Sequence, residues 1–252
     1  MTTCKEKIPT LSYDDVLLVP QYSDIRSRSE IDVATDLGKG LVLDLPVIAS
    51  PMDTISESPM ASMMGSFGAT AIVHRYNTIE QQARMVSEAK ESCKGSLIVG
   101  AAVGITDDFL NRATILRAVN TDFICIDVAH GHHILMKEAI QSLRDTMGED
   151  VHIMAGNVAT LEGINDLADW GADSVRCNIG GGSICSTRIQ TGHGLPGLQT
   201  IIECAKTDRD VKIIADGGIK TSGDMVKALA AGADAVMVGS LLSGTDESPG
   251  KV

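Results

Sequence analysis

Three consecutive glycines, Gly180, Gly181 and Gly182, lead into Ser183, Cys185 and Thr187. A glycine-rich loop lets backbone approach a ligand closely. A partly exposed thiolate beside a bound anion and a hydroxyl is a nucleophile. Cys185 is therefore the candidate nucleophile, with Thr187 as its hydroxyl neighbour. Further along, Asp216-Gly217-Gly218 and Gly239-Ser240 form two short polar turns. Their N–H groups suit an anion, so they read as a phosphate site with Asp216 accepting from ribose hydroxyls. Tight strand-to-helix turns are the plainer reading. Asp127 reads as a carboxylate for a ribose or an amide. His130, His132 and His133 lack matching Asp, Glu or Cys ligands close by in sequence, and read as a solvated loop or a cofactor-facing wall. Asp14-Asp15 and Asp107-Asp108 read as solvated or capping, and Met60, Met63 and Met64 are spaced for the core face of a helix.

The composition narrows the setting. Lys and Arg number 21 against 33 Asp and Glu, a formal charge of −12 in 252 residues. Binding nucleic acid through a basic face is excluded, because phosphate neutralisation needs clustered cations. Hydrophobic residues make up 44% and the mean hydropathy is +0.11, enough for a large core. No apolar run reaches the roughly 18 residues of a membrane span, and the stretch after Met1 is polar, so neither membrane association nor a signal peptide is expected. The cysteines at 4, 93, 125, 177 and 204 form no CxxC and read as reduced, mostly buried thiols of a cytoplasmic protein.

Elements must bring these groups together. Eight short apolar runs recur, at Pro46–Ala49, Ala69–Val73, Leu97–Ala101, Phe123–Asp127, His152–Met154, Ser174–Arg176, Lys212–Ala215 and Ala235–Val238. Such runs suit strands buried on both faces of a parallel sheet. Helical spacing fills the gaps, at Pro59–Phe67 (with Ser58 as N-cap), Thr78–Ser92, Asp107–Ala118, His133–Thr146, Leu161–Trp170, Leu198–Ala205 and Ser222–Ala230. Thr78 and Gln81 form a capping-box pattern, and Gly171 and Gly232 suit helix stops. Trp-Gly-Ala-Asp-Ser-Val and Ala-Gly-Ala-Asp-Ala-Val echo each other at two helix-to-strand joints, as repeated units do. The expected fold is α/β, a single-domain (β/α)8 TIM barrel spanning 1–252, with residues up to about 45 as an extension over one end. A doubly wound open sheet is disfavoured, since no GxGxxG follows the first strand. In a barrel, active-site groups sit at the C-terminal ends of strands. Ser50-Pro51-Met52-Asp53, His74-Arg75, Asp127, Asn157, the long Cys177–Pro196 segment and the two phosphate turns all fall there.

The loop Gly180–Thr187, the Asp216-Gly217-Gly218 turn and Ser50-Pro51-Met52-Asp53-Thr54 together resemble the IMP dehydrogenase/GMP reductase family. So do Leu11-Ser12-Tyr13-Asp14-Asp15-Val16-Leu17-Leu18 and Ala155-Gly156-Asn157-Val158, and the match runs from about Leu11 to Val252. The resemblance implies a purine mononucleotide and a nicotinamide nucleotide bound at the strand ends. It makes Cys185 the nucleophile that attacks purine C2, with Thr187 near the leaving group or water. Asp216 would hold the ribose, and Ser183, Gly218, Gly239 and Ser240 the phosphate. Ser50, Met52, Asn157, Arg176 and Gly217 would complete the substrate site. Asp127, Val128, Ala129 and Arg75 would face the nicotinamide cofactor. A homotetramer, and K+ on the loop at Gly180, Gly182 and Cys185, are implied by resemblance alone.

Within the family, Lys90–Leu97 runs straight on where the dehydrogenases carry a CBS insert. Ser27-Arg28-Ser29-Glu30, His74-Arg75, the stretch Thr187–Gly194 and Ile202-Glu203-Cys204-Ala205 look like the reductases. Gly100–Gly104, Ala129–His132 and Gly244–Gly250 look like the dehydrogenases. The resemblance thus favours NADPH-dependent reductive deamination of GMP. Oxidation of IMP by NAD is the alternative, and a nucleotide-binding protein without turnover or an FMN-binding barrel stand further off. Asn178 and Gly181 replace the family's usual Gly and Pro. The family's mobile flap and catalytic Glu, which follow later in its chains, are not in this sequence.

Overall fold

The computed structural model describes residues 10–92, 97–106 and 108–250. Cys4, Cys93 and Asp107 lie outside them. Among the described residues, eight parallel strands close into one barrel: β3 (Val47–Ala49), β4 (Thr70–Val73), β5 (Val99–Val103), β6 (Phe123–Asp127), β7 (His152–Val158), β8 (Ser174–Cys177), β9 (Lys212–Asp216) and β10 (Ala235–Val238). The first and last of them, β3 and β10, pair in register, Val47 opposite Val236 and Ala49 opposite Val238. The helices are α1 (Ser58–Ser66), α2 (Ile79–Ser92), α3 (Phe109–Ala118), α4 (Ile134–Met147), α5 (Leu161–Asp169), α6 (Thr187–Thr191), α7 (Gly197–Cys204) and α8 (Ser222–Ala230). The expected (β/α)8 barrel is thus the fold. No helix of the described residues is long and apolar enough to cross a membrane.

Strand periodicity explains why both faces read as apolar. Ile48, Ile72, Phe123, Met154, Ile214 and Met237 point into the barrel. Their neighbours Val47, Ala71, Ile124, Ile153, Ile213 and Val236 pack outward under the helices. Alternation of this kind is the two-residue period of a strand. The interior fills by pairing large with small: a Cβ on Gly100 would lie 2.2 Å from the Phe123 ring. That pairing explains why β5 begins two residues later than its most apolar residues indicate. The glycine and alanines of 100–102 carry the strand, and Leu97 lies just before it.

A hairpin of β1 (Thr35–Asp36) and β2 (Val42–Leu43), not anticipated from sequence, precedes the barrel. Its Leu37, Leu41 and Leu43 are buried in the same cluster as the barrel interior. Two other local differences have plain causes. Helix α1 takes Glu57 as its N-cap rather than Ser58, since the Glu57 carbonyl accepts from Ala61 N–H at 3.0 Å. Strand β7 runs on to Val158 because its last residues follow β8 through a register shift. The Thr78–Gln81 capping box forms as expected, with both bonds present at 3.0 and 3.2 Å.

The echoed Gly-Ala-Asp phrase has a structural reason. Asp173 and Asp234 stand one residue before β8 and β10, and each carboxylate accepts a backbone N–H of the preceding strand in the barrel, Ile153 and Ile213, at 2.7 Å. Asp122, before β6, does the same for Val99 N–H at 2.6 Å. A cation sits on each: Lys90 on Asp122 at 2.5 Å, Arg144 on Asp173 at 2.6 Å, and Lys212 on Asp234 at 3.5 Å. These charge-assisted bonds fix where each strand pair begins. Asp173→Ala is expected to cost about 3 kcal/mol in urea denaturation, since it strands a buried N–H and the Arg144 guanidinium. Asp169→Ala, which removes an exposed partner of Arg209, should cost under about 1 kcal/mol.

His152 opens β7 with its side chain buried against Phe123 and 2.8 Å from Ser174 Oγ. Burial pushes it down to about 4. The folded protein therefore keeps His152 neutral where the unfolded chain, near its ordinary value of about 6.5, takes up a proton. Stability should fall as pH drops from about 6.5 to about 4, by about 3 kcal/mol from this group. Denaturant titrations across that range should show the loss in the wild type and its removal in His152→Gln. A constant difference between the two proteins would refute it.

Candidate active site

The C-terminal ends of the strands open on one cleft of about 700 Å³. Its walls include every residue that the resemblance assigned to substrate, nicotinamide or nucleophile, while His74 stands outside the lining. On one side stand Ser50, Met52, Gly239 and Ser240; Asp216, Gly217 and Gly218 adjoin them. Gly180, Gly182, Ser183, Cys185 and Thr187 form the overhanging loop. Arg75, Asp127, Val128, Ala129, Asn157 and Arg176 complete the lining.

Arg176 is the electrostatic centre. It lies on β8, only 6% exposed. One terminal nitrogen donates to Asp127 Oδ1 at 2.5 Å, while Nε and the other terminal nitrogen donate to Asp216 Oδ2 at 3.1 and 2.8 Å. Burial alone would lower the guanidinium's pKa, but Asp216 and Asp127 outweigh it and hold it well above the ordinary value. Asn157 Nδ2 donates to the same Asp216 oxygen at 2.7 Å and to the Asn178 carbonyl at 3.0 Å. Arg75 reaches Asp127 from the other side, Nε lying 3.8 Å from Oδ2. Arg176, expected simply to line the nucleotide site, is thus held by two carboxylates and in turn aims both of them.

Cys185 sits on the loop before α6, half-buried, with Sγ 3.4 Å from Thr187 Oγ1. The Thr187 hydroxyl first, then backbone N–H groups at Thr187 and Gly180 and the Arg188 charge, hold the thiol below its ordinary pKa against the desolvation that would raise it. Cys125, Cys177 and Cys204 are buried, and burial pushes Cys125 up to about 12 and Cys177 well above the ordinary thiol value. Among the described residues Cys185 is the thiol set up to react. Thr187 opens the short helix α6, which the sequence reading left as loop.

The Asp216–Gly218 and Gly239-Ser240 turns are shaped by close approach. A Cβ on Gly239 would meet Ser50 Oγ at 2.8 Å and Met52 Sδ at 2.9 Å, and one on Gly218 would meet the Gly181 carbonyl at 3.0 Å. Two buried oxygens of the cleft, Ser50 Oγ and Asn178 Oδ1, have no hydrogen-bond partner among the described residues. Unsatisfied buried polar atoms are rare in proteins, and both of these line the cleft. Asn178 was singled out in the sequence only as a departure. Its type, a polar amide opening a run of glycines, was the available signal for a role.

The histidines play other parts. His132 Nε2 lies 2.8 Å from Asp166 Oδ2, with its ring tilted against Trp170. His133 caps α4 through Nδ1, which accepts from Leu135 N–H. Neither they nor His130 line the cleft, so the reading of a cofactor-facing wall is corrected. Among the described residues, no three His, Cys, Asp or Glu side chains gather as a metal site.

The model of the IMP dehydrogenase / GMP reductase domain matches residues 10–252. The inosine-5'-monophosphate dehydrogenase of Cryptosporidium parvum is 37% identical over 96% of this chain and 70% of its own. The GMP reductase of Leishmania major is 30% identical over 96% of this chain and 76% of its own. A crystal structure of GMP reductase from Trypanosoma brucei, a Cys-to-Ala variant, superposes with a TM-score of 0.93 at 29% identity, covering 97% of this chain and 86% of that one. The alignment to the Leishmania reductase spans 375 residues, and that to the dehydrogenase of Nitrosopumilus maritimus spans 367. Both exceed the 252 residues here, so relatives of either name carry a long insert. Its absence does not point to the reductase, contrary to the expectation from sequence. The domain model, the identities and the similarity along nearly the whole chain agree: this chain belongs to the IMP dehydrogenase/GMP reductase family.

Proposed function

We propose that this chain catalyses the NADPH-dependent reductive deamination of GMP to IMP and ammonia. The observation that carries the reading is Cys185, paired with Thr187 and facing the Asp216–Gly218 and Gly239-Ser240 turns across one cleft. The reductase-like stretch Thr187–Gly194 and the likeness to the Trypanosoma brucei GMP reductase support it over the alternative.

The residues divide the work. Gly218, Gly239, Ser240 and Ser183 take the phosphate, and Asp216 offers the ribose its free oxygen while Arg176 and Asn157 hold the other. The base then lies against Cys185. The Cys185 sulfur adds to C2, and the 2-amino group takes a proton and leaves as ammonia with its bonding electron pair. Sulfur and C2 stay joined. When bound, NADPH supplies the hydride for C2, and the thiolate departs to release IMP. Thr187 holds the thiolate before attack and lies beside the group that departs. The side of the cleft at Arg75 and Asp127 suits a nicotinamide dinucleotide, since Arg75 Nε is buried without a hydrogen-bond partner among the described residues, and Val128 and Ala129 belong to the same lining. K+ would rest on the carbonyls of Gly180, Gly182 and Cys185. Gly182 O, one of its expected ligands, accepts the Cys185 N–H at 3.2 Å, so no step is drawn through the ion.

The second reading is oxidation of IMP by NAD through the same cysteine. It is favoured by the relatives named inosine-5'-monophosphate dehydrogenase, at 32 and 37% identity among those compared. Nicotinamide absorbance separates the two. It should fall with GMP and NADPH, and not rise with IMP, NAD and potassium. Cys185→Ala should abolish the fall, by roughly a thousandfold or more. A rise in the second cuvette would replace the reductase reading with the dehydrogenase one.

Thr187 gives a further test. Iodoacetamide labelling of the Cys185 peptide across pH should have its midpoint below that of an ordinary thiol, because the thiolate is the reacting form. Thr187→Val should move the midpoint upward and slow labelling several-fold at neutral pH, with little change at high pH. A profile that does not move would show that Thr187 does not hold the thiolate.

A further inference from the structure

The nucleophile loop, Gly180–Cys185, rests on the Asp216–Gly218 turn almost without side chains. A Cβ on Gly217 would lie 3.3 Å from Gly182 backbone, and one on Gly218 would lie 3.0 Å from the Gly181 carbonyl. Backbone stacked on glycine backbone in this way has little packing to hold its register.

One side chain crosses the seam. Asn178, 4% exposed and directly after β8, sends Nδ2 to the Asp216 carbonyl at 2.8 Å and the Gly217 carbonyl at 3.3 Å. Its backbone is fixed as well, the N–H on Val158 O at 2.8 Å and the carbonyl on Asn157 Nδ2 at 3.0 Å. The carboxamide lies among glycines of three segments. A Cβ on Gly181 would come within 2.1 Å of Nδ2, one on Gly197 within 3.3 Å and one on Gly217 within 3.8 Å. The first distance is impossible for real atoms, so Asn178 and any side chain at 181 compete for one space.

The geometry points to Asn178 as a positioning residue: its carboxamide occupies the space above Gly181 and pins the nucleophile loop to the Asp216–Gly217 turn, setting Cys185 in register with the ribose and phosphate groups. The assignment rests on the reading of Cys185 as the nucleophile. The path is short. Two residues after Asn178, Gly180 presents its N–H toward the Cys185 sulfur, and the Cys185 N–H closes on Gly182 O. A loosened Asn178 therefore releases the backbone that supports the thiolate, without itself touching substrate.

The test uses the whole chain and two readouts on the Cys185 peptide. One is the pH midpoint of iodoacetamide labelling, which needs no nucleotide. The other is the concentration of GMP, or of IMP, that half-protects Cys185. Asn178→Ala, which adds no charge, should raise the midpoint toward an ordinary thiol and raise the half-protecting concentration roughly tenfold. Gly181→Ala should do the same in the wild type and nothing further in Asn178→Gly, since the contested space is then free. Wild-type behaviour of Asn178→Ala in both readouts overturns the proposal, as does an undiminished effect of Gly181→Ala in the Asn178→Gly background. Should Asn178→Ala fail to fold, the two Gly181→Ala comparisons decide. Silence in both turnover assays would count against the proposed function alone, because the labelling midpoint still reads the clamp.

Discussion

Arg176 stands between Asp127 and Asp216, and its burial makes that pairing obligatory. A guanidinium out of water needs anionic partners, and two carboxylates this close to each other need a shared cation. Each therefore fixes the other's place. The three residues lie on β6, β8 and β9, so the pairing ties together the wall of the barrel on which the cleft is built. Asp216 takes all of these bonds on Oδ2 and keeps Oδ1 outside the pairing, and Asp127 keeps its second oxygen toward Arg75. Asn157 and Asn178 extend the same network to the nucleophile loop. The chemistry of the site is thus hung from a single buried charge.

The opposite end of the barrel uses the same kinds of group for another purpose. Asp122, Asp173 and Asp234 stand before alternate strands and clamp the start of the preceding one. Carboxylates at the strand starts hold the barrel in register, and carboxylates at the strand ends line the cleft. Barrels commonly divide their faces in this way, with stability at the N-terminal ends and activity at the C-terminal ends. Here the division is legible in partner types. The lower aspartates accept from backbone, and the upper ones are held by side chains of the cleft.

Much of this could be read from the sequence, for physical reasons. Strands buried on both faces leave unbroken apolar runs, and helices between them leave caps and glycine stops, so eight βα units showed directly. The cleft residues were found because motif-bearing turns follow strands, and the fold gathers strand ends. What escaped depends on contacts distant in sequence. The β1–β2 hairpin is too short to leave a pattern, and its leucines make sense only beside Ile48, Phe123 and Met237. Strand β5 was displaced because the space demanded by Phe123 is invisible at Gly100. Helix α6 hides in a loop rich in polar residues. Asn178 looked like an irregularity until its neighbours in space proved to be glycines from three separate segments.

The leucines of that hairpin make the barrel a blind well rather than a conduit. With Leu37, Leu41 and Leu43 closing the floor and Phe123 and Met154 filling the shaft, the described residues leave no passage through the middle. Whatever reaches Cys185 arrives from above and departs the same way. On the proposed reaction, in which nucleotide and nicotinamide meet over that sulfur, both share the one cleft, and the later arrival stands in the path of the earlier one's exit.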